Sequence, residues 1–139
     1  MKQQLTISCS KTNLAKVRQF VSQLLDNALD ISEVEAHKMV LAVDEICANL
    51  IIHSNHCNPT RKIEIIVELQ KDDQVIFIIK DQGISFDLSG YTEPSMEEII
   101  ASKRKGGVGL LLVKRIMDKI EFSKNKNYNI CRLTKKLNK

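Results

Sequence analysis

Tryptophan is absent, and two tyrosines with four phenylalanines bring the aromatic share to only 4%. So few rings provide no base-stacking surface, and the basic residues behind the net charge of +4 are scattered along the chain, which argues against nucleic acid as a direct partner. The four cysteines, Cys9, Cys47, Cys57 and Cys131, include no CxxC pair. That spacing excludes a zinc ribbon and a dense disulfide framework, and reduced structural thiols are expected. No run reaches the ~18 apolar residues that a membrane span needs, and the start MKQQLTISCS lacks the apolar core of a signal peptide. The expectation is a soluble, cytoplasmic protein with no membrane partner.

What is present suits one domain. A chain of 139 residues, 43% hydrophobic and 27% charged, can build one core without disulfides, so residues 1–139 are read as a single unit. Leu5-Thr6-Ile7 reads as a first strand. From Asn13 to Leu29 apolar residues recur at three- and four-residue steps, the pattern of an amphipathic helix. Ser32 and Glu35 have the form of a capping box, so a second helix is expected from Glu33 to about His53, stopping before Asn58-Pro59. Lys62 to Gln70 and Gln74 to Lys80, rich in isoleucine and valine around the turn Lys71-Asp72-Asp73, read as an antiparallel hairpin.

The stretch from Asp81 to Pro94 is loop-like, and Ser95-Met96-Glu97-Glu98 opens a short helix to about Ser102. With only that helix, residues 82–106 are expected to form a lid. The apolar positions 110, 113, 116, 117 and 120 predict a helix from Leu110 to Ile120. Two tail strands follow, about Glu121 to Lys124 and Tyr128 to Thr134, around Asn125-Lys126-Asn127. The order implies an α+β fold, a layer of helices on one face of a mostly antiparallel sheet. The basic clusters Lys103-Arg104-Lys105 and Lys135-Lys136 read as solvated faces.

Three stretches carry chemistry. In VDEICANLIIHSN, Val43 to Asn55, the residues Glu45, Asn49 and His53 stand four apart in an otherwise apolar helix. Each step of four advances ~400°, so they share one slowly drifting stripe. Glu45 can serve as a general base toward a hydroxyl in reach. Asn49 offers a neutral oxygen suited to a Mg²⁺ that keeps its waters and phosphate ligands. A hydrogen-bonded polar seam would also account for the stripe. Asp81-Gln82-Gly83 follows a strand, where a carboxylate can accept from an exocyclic amine and Gly83 permits a sharp turn beside a flat ring, although a plain β-turn reads the same way.

Gly106-Gly107-Val108-Gly109 opens a helix, and such a start favours phosphate. It is neither a Walker A loop nor GxGxxG. His53, His56 and Cys57 also admit a zinc reading, though one that lacks a fourth ligand.

Taken together, Glu-x3-Asn-x3-His on a helix, Asp-x-Gly after a strand, a lid, and Gly-x-Gly at a helix start resemble the N, G1 and G2 boxes of the GHKL (histidine-kinase-like) ATPase superfamily. The run GGVGLLLVKRIMDKIEF and the small size look like its serine-protein kinases that act as anti-sigma factors, over about residues 1 to 135. The resemblance implies a Bergerat-type two-layer sandwich and a protein-serine kinase that uses ATP and Mg²⁺. It places Glu45 as catalytic base, Asn49 as metal ligand and Asp81 as the adenine acceptor, with Gly83 shaping that pocket. Gly107 and Gly109 would embrace the phosphates, and Lys105 would contact the terminal one. It further implies a sigma factor and an anti-anti-sigma protein as partners, and a homodimer. One departure stands out: Ser85 occupies the second glycine of Asp-x-Gly-x-Gly, which keeps a nucleotide-gated binding module with little or no phosphotransfer as the alternative.

Overall fold

The computed structural model describes residues 2–27, 31–70, 74–82, 107–125 and 127–137, with the side chains of 53, 54 and 108 left out. The expected lid, the turn at 71–73, and the sites Gly83, Ser85 and Lys105 lie outside the described residues.

Strand periodicity organises the molecule. β1 (Lys2–Ser8), β2 (Lys62–Gln70), β3 (Gln74–Asp81), β4 (Lys119–Lys124) and β5 (Asn129–Lys136) form one sheet in the order β1-β2-β3-β5-β4. Every pairing in it is antiparallel. Because side chains alternate between faces, register aligns whole rows across the sheet. One row runs Leu5, Ile65, Ile79, Cys131, Phe122, and the next runs Val67, Phe77, Leu133, Ile120. Most of these side chains are buried, and all belong to the core or pack against it. The consecutive apolar residues noted in the sequence occupy both faces: Ile66 and Ile76 lie on the other side and are still buried, at 6% and 2% exposure.

The helices lie over the rows that form the core. A single 3-10 turn, Lys11–Asn13, leads into α1 (Leu14–Asp26), which buries Val17, Val21 and Leu25 at helical spacing. α2 (Glu33–Asn49) starts where its cap predicts, with Ser32 Oγ accepting from the Glu35 amide at 3.1 Å. The carboxylate of Glu35 faces Lys38 at 3.7 Å and Lys135 at 3.5 Å. Lys135 is therefore no solvated charge: its ammonium also donates to Ile116 O at 3.0 Å, tying β5 and the end of the last helix to α2. Arg18 joins α1 to Asp44 of α2 at 3.0 Å.

One winding and one boundary differ from expectation. Past Asn49 the second helix widens into a π segment, Leu50–Ser54, and ends through His56 and Cys57, whose φ of 51° and 55° are left-handed. The helix thus stops at a left-handed pair of residues ahead of Pro59, and the 3.6-residue period that extended the stripe to His53 ends at Asn49. The last helix, α3 (Gly107–Ile116), ends before Ile120. Positions 117 and 120 continue a helical spacing, yet Ile120 and Phe122 also alternate as a strand, and pairing with β5 decides the matter. The Asp118 amide donates to Thr134 O at 2.9 Å, and Asp118 Oδ2 accepts from the Lys136 amide at 2.6 Å, which fixes the turn.

Candidate functional site

The inward face of β3 presents Val75, Phe77, Ile79 and then Asp81. The alternation that buries the first three carries the carboxylate of the fourth beneath the helices, where it is 1% exposed. A charge there requires hydrogen-bond donors. Asn55 supplies one: its Nδ2 donates to Asp81 Oδ2 at 3.0 Å and to Leu50 O at 2.8 Å. The Asn55 main-chain amide donates to the same Leu50 oxygen at 2.9 Å. The π segment thus turns Asn55 inward and lets one carbonyl hold it twice. Arg61 secures the chain just beyond the carboxylate, donating to Gln82 O at 3.0 Å.

Two buried thiols feel the charge of this carboxylate. Burial, followed by the charge of Asp81, pushes Cys131 up to about 12. Cys9 is raised to about 11, first by burial and then by Asp81, with Arg61 opposing and Cys57 adding. Both remain neutral thiols at physiological pH.

The second half of the site lies where α2 meets α3. Glu45 is half-buried, and its carboxyl is raised above the usual 4.5, chiefly by burial and then by neighbouring Asp44. Its carboxylate packs directly on Gly109, in the first turn of α3: a Cβ at position 109 would lie 2.8 Å from Glu45 Cδ and closer still to Oε2. A side chain at position 109 would therefore displace the Glu45 carboxylate from this seat. The N-terminal end of a helix is the positive end of its dipole and favours negative charge. Asn49, half-buried, follows Glu45 by one turn at the end of α2, and Gly107 is the first residue of α3.

The structure therefore brings Glu45 and Gly109 together, with Asn49 beside them on α2 and Gly107 at the mouth of α3. Asp81 occupies the inward face at the end of β3. Among the described residues no three of His, Cys, Asp or Glu stand together as a metal cluster, and His56 and Cys57 are exposed. Asn55 is the residue that sequence reasoning passed over. Its signal was the buried strand-end carboxylate, which had to find a donor, but nothing local pointed to the residue six positions after Asn49.

A family model for the histidine kinase-like ATPase domain matches residues 7–135. A serine-protein kinase RsbW of Halalkalibacterium halodurans is 28% identical over 127 residues, spanning 88% of this chain and 75% of the relative. A serine-protein kinase RsbW of Bacillus pumilus is 30% identical over 113 residues, 76% of this chain and 67% of the relative. An anti-sigma F factor of Oceanobacillus iheyensis is 29% identical over 109 residues, 76% and 68% respectively.

Among solved structures, the RsbU and RsbW domains of Rv1364c from Mycobacterium tuberculosis align with a TM-score of 0.69 and 14% identity, covering 99% of this chain and 32% of that one. At that identity the likeness speaks to the fold alone. With one family model spanning nearly all the residues that build the sheet, its helices and the site between them, the chain belongs to the histidine kinase-like ATPase family, among its anti-sigma serine-protein kinases.

Proposed function

We propose that this chain is an ATP-dependent protein-serine kinase that phosphorylates an anti-anti-sigma protein and sequesters a sigma factor. The observation that carries this reading is the Glu45 carboxylate seated on Gly109 at the start of α3. A base and a phosphate-favouring helix start converge there, as transfer to a hydroxyl requires.

In this reading Asp81 accepts from the adenine amine, and the first turn of α3, opened by Gly107 and Gly109, receives phosphate oxygens on main-chain amides. Asn49 offers one neutral carbonyl oxygen, a donor suited to Mg²⁺, which when bound supplies positive charge against the triphosphate. The serine Oγ of the partner attacks the terminal phosphorus of ATP, the bond to the bridging oxygen breaks, and ADP leaves. Glu45 takes the hydroxyl proton. Burial raises its affinity for that proton, the direction that helps a general base. Catalysis then rests on positioning and charge stabilisation, the main sources of rate in phosphoryl transfer.

Transfer of labelled phosphate from ATP to a candidate anti-anti-sigma protein tests the reading. Phosphoserine should form with the wild type and be lost in Glu45→Gln, while ATP binding persists. ATP binding with no phosphoserine from the wild type would instead leave a nucleotide-gated binding module, the reading to which Ser85 gives weight.

A further inference from the structure

Asn55 carries a feature that its role as donor to Asp81 does not use. The residue is 1% exposed, and its Oδ1 has no hydrogen-bond partner among the described residues. A buried amide oxygen left without a donor is uncommon, and leaving one so is costly. Rotating the amide by half a turn does not relieve it. That would set Oδ1 against two acceptors, Leu50 O and Asp81 Oδ2, which both now receive hydrogen from Nδ2. The orientation is therefore fixed, and Oδ1 is an acceptor held beside a carboxylate within one planar amide group of it.

Two neighbouring acceptors suit a group that carries two hydrogens. A purine 6-amino group has one for each, whereas a 6-oxo group presents an acceptor to both. We infer that Asn55 is a second determinant of nucleobase choice, holding Asp81 in place through Nδ2 and accepting the other hydrogen of the 6-amino group through Oδ1. The inference rests on the proposed nucleotide site, with Asp81 as its base-reading carboxylate.

Calorimetry on the full chain with ATP and with purine riboside triphosphate, which lacks the 6-amino group, separates the two ideas. In the wild type, ATP should bind more tightly by about 10- to 100-fold. In Asn55→Ala, ATP affinity should fall by about tenfold or more while the analogue changes little, so that the ratio collapses. Asn55→Ser, which is small and polar, gives the same comparison if the alanine variant fails to fold.

A wild-type measurement needs no variant. The side-chain amide resonance of Asn55 should move on adding ATP and stay in place on adding the analogue. An equal fall for both nucleotides, or an equal movement of the resonance, would overturn the role of Asn55 while leaving the site intact. Wild-type protein that binds neither nucleotide, or binds ATP equally well as Asp81→Asn, would overturn the site and this inference together.

Discussion

Replacing Gly109 by alanine should nearly silence the enzyme without unfolding it. The new Cβ would stand 2.8 Å from Glu45 Cδ and 3.5 Å from Cγ. Carbon atoms settle at about 3.5–4.0 Å, so the carboxyl carbon must withdraw by about 1 Å. The Glu45 side chain is flexible and half-exposed, so it can swing away, and alanine is the better helix former by up to ~1 kcal/mol. The fold therefore loses little. Catalysis loses much, because an error of about 1 Å in a reacting group costs on the order of 10²-fold, or about 2.7 kcal/mol of barrier.

We expect kcat for phosphate transfer in Gly109→Ala to drop roughly 100-fold, with the melting temperature unchanged or slightly raised. In a Glu45→Asp background, whose carboxylate is one methylene shorter, the same alanine should matter less. Wild-type turnover in Gly109→Ala, or a variant that no longer folds, would refute the packing argument.

Glu45 also makes a pH prediction. Its folded pKa is raised, so its contribution to stability is fully present below 4.5 and is lost as pH rises through the folded value. Glu45→Gln should therefore melt above the wild type at pH 8, with the gap closing toward pH 4.5; a gap of opposite sign would contradict the burial account. Phe77, 0% exposed in the central strand, should cost about 3–5 kcal/mol when changed to alanine, read as a lower urea midpoint at unchanged slope. Ellman's reagent at pH 8 should modify one thiol quickly, exposed Cys57, and Cys57→Ser should abolish that phase. Cys9, Cys47 and Cys131 are buried and held protonated, Cys47 most strongly, so they should react only on unfolding.

The placement of the candidate residues was legible in the sequence wherever one element's own periodicity decides direction. Alternation through Phe77 and Ile79 turns Asp81 inward, and the four-residue step sets Asn49 one turn beyond Glu45. The start of α2 could be read because Ser32 caps it with a local bond. What stayed hidden depends on partners distant in sequence. The seat of Glu45 on Gly109 exists only because α2 and α3 pack side by side, and the ties of Lys135 join elements far apart in the chain. The π segment has no compositional mark of its own, so neither the end of the stripe at Asn49 nor the inward turn of Asn55 could be anticipated. The boundary near Ile120 failed because three-residue and two-residue spacings overlap in one short apolar run.

The proposed nucleotide site requires that Asp81 and Asn49 face one bound ATP. Titration calorimetry of ATP, with and without Mg²⁺, on the wild type, Asp81→Asn and Asn49→Ala addresses that directly. Wild-type affinity should be micromolar, roughly −8 kcal/mol, abolished in Asp81→Asn and stripped of its Mg²⁺ dependence in Asn49→Ala. Binding that persists unchanged in both variants, or no wild-type binding at all, would contradict that site.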